Sequence, residues 1–235
     1  MTSLRLDNVS VLFEGNKAVD SVNVEFESGV HVVLGKNGAG KSTLLRAIAK
    51  LVDFQGEIYV DGRSIRSMSR KELAKTIGYC WQNPYYGFIE QTVEEEIQFI
   101  LKSLGIQGDN RVVEILVPKE LMKRNPFTLS GGEAKRVSTA SILIANQPIW
   151  LLDEPFSFLD RDGVFSMIEL VDYGRKKGKI IIVALHDATH SHLLKPDTYV
   201  LLHKGKLVAR GSWDSLRDEQ LALAGLLTRG ELCGR

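Results

Sequence analysis

Apolar positions in the first third of the chain fall in short, strand-like runs. Leu4 to Val11, Val22 to Glu27, Val30 to Leu34 and Gly56 to Val60 are predicted as strands, the last followed by the turn pair Asp61-Gly62. A helix from Lys41 to about Lys50 interrupts them. Ser69 and Glu72 have capping-box spacing for another short helix, and Ile77 to Trp81 reads as a buried strand. The pattern is then mainly helical from about Thr92 to Asn146. Thr92 and Glu95 make a second capping box, and Val93, Ile97, Ile100, Leu101 and Leu104 recur at helical spacing.

From Ile149 onward, strands and helices alternate. Ile149 to Leu152 and Ile180 to Leu185 are apolar strands, with a helix around Val164 to Lys176 between them and a short helix expected after His186. Thr198 to Leu202 and Leu207 to Ala209 read as a hairpin around Lys204-Gly205, and an amphipathic helix is predicted from about Asp214 to Leu227. Such alternation implies parallel pairing in a layered α/β core, into which the helical stretch is inserted.

Composition narrows the class. With 235 residues, 44% hydrophobic and 25% charged, the chain has ordinary globular values and length enough for one core with a subdomain. A formal net charge of +1 speaks against a nucleic-acid surface. Cys80 and Cys233 are too few for a disulfide framework, so a reduced, cytoplasmic setting is expected. Met1 to Asn8 carries no apolar signal core, and no run approaches the roughly 18 apolar residues that span a bilayer. Work at a membrane would go through a partner.

The chemistry begins at Gly35-Lys36-Asn37-Gly38-Ala39-Gly40-Lys41-Ser42, which fits G-x-x-x-x-G-K-[ST] between an apolar strand and a helix. Its glycines let backbone N–H groups wrap a phosphate chain at a helix N-terminus. Lys41 would neutralise the β- and γ-phosphates of ATP, and Ser42 would hold Mg²⁺. Ile149 to Glu154 is an apolar strand ending in two acids: Asp153 can reach the magnesium shell and Glu154 can polarise an attacking water. His186, at the end of another apolar run, would reach the same sheet edge and contact the γ-phosphate. The i, i+4 pair His186 and His190 has metal-ligand spacing, but His190 and His192 are expected at the surface.

Leu129-Ser130-Gly131-Gly132-Glu133 is a further anion-binding element. Ser130 and Glu133 form a capping box, and the two glycines leave the helix N-terminus bare for a close-approaching phosphate. At this point the chain resembles an ABC-type ATPase nucleotide-binding domain over essentially its whole length. The resemblance is carried by the phosphate loop, LSGGE as the signature, Gln82 as the Q-loop glutamine, Asp153-Glu154, Ser157-Phe158-Leu159-Asp160 as the D-loop, and His186 as the switch histidine.

That resemblance implies an α/β fold: a P-loop NTPase (RecA-like) core with an amino-terminal antiparallel β subdomain and an inserted helical subdomain. The whole would be one domain, with residues 1–88 and 147–235 as core and 89–146 as the helical part. It implies catalytic roles for Glu154, His186, Lys41 and Gln82. Nucleotide contacts fall to Phe13 (on the adenine), Gly35, Asn37, Gly38, Ala39, Gly40, Lys41, Ser42, Thr43, Ser130, Gly131, Gly132 and Asp160. Mg²⁺ would be held by Ser42, Gln82 and Asp153. Two subunits, a homodimer or a pair of paralogues, would bury two ATP molecules head to tail, each signature reading the other subunit's γ-phosphate.

Gln82-Asn83-Pro84, the helix starting Thr92-Val93-Glu94-Glu95-Glu96-Ile97-Gln98-Phe99, and Gly131 to Val137 are similar to the energy-coupling-factor branch of importers. This implies an integral membrane permease as partner, uptake of vitamins or of cobalt or nickel ions, and a place on the cytoplasmic face of the membrane. The chain departs from the usual pattern at Tyr85 to Gln91, at Phe158, where a small residue is usual, and at Ala184-Leu185. Tyr85, Tyr86, Phe88 and Ile89 serve either lobe packing or a groove for a membrane subunit's helix. The competing reading is a soluble ABC ATPase acting on DNA or the ribosome. Against it, Gly105 to Phe127 is too short for a coiled-coil insertion, and only one cassette is present. An inactive scaffold would not need Lys41, Asp153, Glu154 and His186 together.

Overall fold

A computed structural model describes residues 2–186 and 191–226. The chain runs β1 (Leu4–Phe13), β2 (Asn16–Phe26), β3 (Gly29–Leu34), α1 (Lys41–Ile48), β4 (Gln55–Val60) and β5 (Arg63–Ser64). It continues through α2 (Arg70–Thr76), β6 (Ile77–Cys80), α3 (Val93–Leu104), α4 (Asn110–Leu116) and α5 (Gly131–Leu143). The last part holds β7 (Ile149–Asp153), α6 (Arg161–Lys176), β8 (Ile180–Leu185), α7 (Ser191–Leu194), β9 (Thr198–His203), β10 (Lys206–Ser212) and α8 (Asp218–Leu223).

Two sheets organise these elements. The smaller is antiparallel in the order β2-β1-β4-β5, and the larger runs β10-β9-β3-β8-β7-β6. In the larger sheet all neighbours from β9 to β6 are parallel, and β10 returns antiparallel beside β9. Every residue of β3, β7 and β8 is buried, as expected of parallel strands covered on both faces. Alternate residues divide the core. Val30, Val32, Trp150, Leu152, Ile181 and Val183 pack with α3, α5 and α6, while Val33, Leu151, Ile180 and Ile182 pack with α1 and the small sheet. The α/β core, the antiparallel sheet and the helical insertion between β6 and β7 are those expected.

Three local readings change. β1 and β2 are longer than their apolar runs because a two-residue turn joins them, with Glu14 at φ 48 and Gly15 at φ 82. Positive φ at both positions is the hairpin turn whose twist matches the strands, and a glutamate gives little notice of it. The helical stretch is three helices, separated by 3-10 turns at Lys119–Leu121 and Pro126–Thr128. The helix expected from Asp214 is broken: Trp213–Ser215 is a 3-10 turn, Leu216 is extended and buried, and α8 follows. Anchoring Leu216 in the core costs the helix its continuity. Leu227, where that helix was expected to end, lies outside the described residues.

Where α6 crosses β7, a glycine is required by contact. A Cβ on Gly174 would come to 2.5 Å from the Trp150 ring and 2.8 Å from Ile181. Trp150 is fully buried, so neither side can yield cheaply. Alanine at position 174 would gain up to about 1 kcal/mol of helix propensity. Overpacking of about 1–3 kcal/mol outweighs it. Gly174→Ala is therefore expected to lower the urea midpoint of unfolding, whereas a propensity-dominated helix would show it raised.

Candidate functional site

The parallel order places four loops side by side at the carboxyl edge of the large sheet. In space these are the ends of β3 (the phosphate loop), β8 (His186), β7 (Asp153 and Glu154) and β6 (Gln82). Ligands bind at this edge in open α/β sheets. A cleft of about 410 Å³ lies there, lined by Phe13, Ala18, Asn37, Gly38, Ala39, Gly40, Lys41, Ser42, Thr43, Gln82 and Glu154. Phe13, half-exposed at the tip of β1, comes from the small sheet.

The phosphate loop is shaped by close backbone contact. Gly40 has φ 101, and a Cβ there would meet the Ala18 carbonyl oxygen at 2.4 Å, so no other residue fits. Gly40 also precedes α1 without any side-chain cap, which leaves the first N–H groups of the helix to an anion. Lys41 folds back under the loop. Its ammonium donates to the carbonyls of Gly35 (2.7 Å) and Lys36 (3.3 Å) and stands 3.7 Å from Glu154 Oε1. Burial lowers its pKa, and the charges of Glu154 and Asp153 oppose that shift.

Asp153 is the fully buried end of β7, and both its oxygens are engaged. The Ser42 hydroxyl donates to Oδ1 at 2.8 Å and the Tyr79 hydroxyl to Oδ2 at 2.9 Å. Arg46 in turn donates to the Tyr79 oxygen at 3.3 Å. Burial, then the nearby Asp153 charge, raises the Tyr79 pKa and keeps that hydroxyl a donor. Glu154 follows in a left-handed backbone conformation, φ 47, with its N–H bonded to the Ala184 carbonyl at 3.1 Å. This strained step aims its carboxylate into the cleft, where Oε2 lies 2.8 Å from His186 Nδ1. A carboxylate paired with an imidazole beside an anion-binding loop can take a proton from water and be oriented while doing so.

Ser130, Gly131, Gly132 and Asp160 do not line this cleft; they form a separate group. Ser130 caps α5 as expected, accepting from Glu133 N–H at 3.3 Å while Glu133 accepts from Ser130 N–H at 2.8 Å. Arg124 holds Glu133 at 3.2 Å, and these donors keep its carboxyl below the usual range. Phe158 lies over the same turn. A Cβ on Gly131 would come to 3.1 Å from Phe158, which has φ 69 and is 63% exposed. Asp160 caps α6, accepting from Gly163 N–H at 2.8 Å. His192 is exposed against Trp213, and His190 lies outside the described residues.

The aromatic run after Gln82 divides in two. Tyr85 donates to the Leu129 carbonyl at 2.9 Å and Phe88 packs between Tyr85 and Phe127, so both brace the turn leading into Ser130. Tyr86, 70% exposed, and Ile89 face outward. The buried Glu96 carboxylate holds the backbone there, accepting from Ile89 and Glu90 N–H at 2.9 Å each. Sequence reasoning missed Tyr79 and also Lys135, whose buried ammonium bonds the carbonyls of Trp81, Gln82 and Asp153. Tyr79 sits in a run read only as buried strand, and Lys135 follows the signature as one more polar residue. A signal existed in both cases, since a hydroxyl or an ammonium inside an apolar pattern must find a partner.

Among the described residues, no helix is long and apolar enough to cross a membrane. The sequence profile of the ABC transporter family matches residues 19–157. The energy-coupling factor transporter ATP-binding protein EcfA1 of Thermotoga maritima is 33% identical over 224 residues, covering 92% of this chain and 85% of that protein. EcfA of Pediococcus pentosaceus is 34% identical over 221 residues, covering 89% and 78%. Among solved structures, cbiO1 of Clostridium perfringens, part of the ABC transporter complex cbiONQ, superposes with a TM-score of 0.74 at 25% identity, covering 89% of this chain and 88% of that one. A bacterial ABC transporter cassette solved as a dimer gives 0.79, also at 25% identity, over 89% and 98%. The chain belongs to the ABC transporter family, as one of its ATP-binding ATPase domains.

Proposed function

We propose that the chain powers an importer of the energy-coupling-factor type, hydrolysing ATP while paired head to tail with a second ATPase subunit and docked on a membrane permease at the cytoplasmic face. The observation that carries the catalytic part is the Glu154–His186 pair at 2.8 Å, beside Lys41 at 3.7 Å. Glu154 acts as the general base, oriented by His186, and Lys41 and the loop N–H groups stabilise charge on the transferring phosphoryl group. Gln82 reaches the cleft from the next strand end and reports on the γ-phosphate. Phe13, at the cleft's rim, is placed for the adenine ring.

The donor set fits Mg²⁺. Ser42 Oγ and Asp153 Oδ1 are hard oxygen ligands already 2.8 Å apart, and Gln82 adds a further oxygen at the cleft wall. When bound, the ion supplies neutralisation of phosphate charge. Tyr79 holds the other Asp153 oxygen and so keeps the carboxylate turned toward Ser42.

The separate group of Ser130, Gly131, Gly132 and Asp160 supports pairing, because it lines no part of this chain's own cleft and presents a capped helix N-terminus to an anion. Ser130 and the two glycines then read the γ-phosphate held by the partner. Residues 89–146, inserted between β6 and β7, act as the helical subdomain that carries this element. A cavity of about 570 Å³ lined by Leu51, Leu73, Tyr79, Trp81 and Ile142, near the outward-facing Tyr86, supports docking of a permease helix. The relatives named energy-coupling factor ATP-binding proteins support the importer branch.

Loss of the general base in Glu154→Gln should cut phosphate release by about a hundredfold or more while ATP still binds. Normal turnover would remove Glu154 from that role. Ser130→Arg should abolish ATP-driven dimerisation, read by light scattering, with monomer affinity changed by less than about threefold; equal loss of both would place the signature on its own chain's nucleotide. Tyr86→Ala should leave basal hydrolysis intact and weaken stimulation by the reconstituted membrane partner by about tenfold, within the range of an interface hot spot. Unchanged stimulation would mean that Tyr86 takes no part in docking.

A further inference from the structure

Lys135 is 1% exposed, on the face of α5 that otherwise carries Ala134, Val137, Ser138 and Ala140 into the core. Its ammonium donates to the carbonyl oxygens of Trp81 (2.7 Å), Gln82 (3.2 Å) and Asp153 (3.1 Å). Three N–H groups thus meet three acceptors, and every partner is a backbone carbonyl. Burying a charge this deeply is costly, and burial pulls the pKa down to about 8, against the charges of Cys80, Asp153 and Glu154. An apolar side chain of the same length would fill the space without that cost. What the ammonium adds is position.

The three carbonyls belong to two segments of the cleft. Trp81 and Gln82 lead the chain out of β6, and Asp153 is the last residue before the strained step at Glu154. Lys135 itself lies about 7.5 Å along the helix axis from Ser130 at the rise of an α-helix. One side chain therefore joins the helix that begins with the signature to the shoulders of both Gln82 and Glu154.

We infer that Lys135 is a positioning residue that ties the signature helix to the two cleft segments carrying Gln82 and Glu154, so that the nucleotide state of one subunit is carried to the signature it offers the other. This rests on the paired reading proposed above. In a pair, a chain's cleft holds its own nucleotide while its signature serves the partner's, so a rigid strut between them links the two nucleotides. Without it the cleft still binds ATP, but binding no longer sets the signature for closure.

The test uses the full chain carrying Glu154→Gln, which holds ATP without turning it over, with and without Lys135→Met. ATP-driven dimerisation is followed by light scattering, and a fluorescent ATP analogue reports affinity at protein concentrations too dilute for pairing. Lys135→Met should raise the ATP concentration for half-maximal dimerisation by about tenfold, while monomer affinity moves by less than about twofold. Lys135→Gln, which offers two N–H donors without charge, should fall between, with a shift of about threefold. Unaltered dimerisation in Lys135→Met, or an equal loss of monomer affinity, overturns the inference. If thermal melting shows that the Met variant does not fold, the Gln variant decides alone: a shift near threefold supports the strut, and a wild-type response overturns it. If Glu154→Gln alone fails to dimerise with ATP, it is the paired reading that fails.

Discussion

Asp153 ends a strand whose every residue is buried, and a carboxylate in that position must be fully hydrogen-bonded. Ser42 reaches it from the helix after β3 and Tyr79 from β6, on either side of β7. Three strand ends are thereby held at fixed separation around one side chain. The phosphate loop, Glu154 and the exit of β6 toward Gln82 all take their places relative to this buried centre. Below it, Lys135 fastens the backbone of the same two strand ends to α5. Side-chain bonds at the sheet edge thus replace the ladder hydrogen bonds that run out there.

Much of this was legible in advance. The phosphate-loop spacing, the acids closing Ile149 to Glu154 and the histidine after Ile180 to Leu185 each sit at the end of an apolar run, and parallel strands deliver such ends to one edge. The α/β core with its inserted helices followed from the same alternation. What escaped reading has physical causes. Glu14 adopts positive φ because the hairpin twist demands it, not because glutamate favours it. Leu216 breaks a helix because the core has room for that side chain only if the backbone extends. Tyr79 and Lys135 lie in apolar patterns whose partners are remote in sequence, so periodicity shows burial but not the bond that makes burial tolerable.

The run from Tyr85 to Ile89 shows how two readings of one segment can coexist. Alternate residues take opposite tasks: Tyr85 and Phe88 turn inward to brace the approach to Ser130, and Tyr86 and Ile89 turn out. The inward pair makes the outward pair rigid. Phe158 is a different case. It replaces the small residue usual in such a loop, holds a left-handed backbone and covers the face of Gly131. A bulky ring at this turn makes the two motifs one packed surface.

The hydrogen bond between Ser42 and Asp153 spans 111 positions of sequence, and His186 must arrive from further still. Closing loops of that size precedes any gain from the contacts they allow, and parallel pairing of this kind is slow. On a ribosome the phosphate loop emerges early yet lacks its acids until most of the chain has been made. ATP recognition is therefore among the last properties the folding chain acquires, and a nucleotide that binds only the completed cleft stabilises only finished molecules.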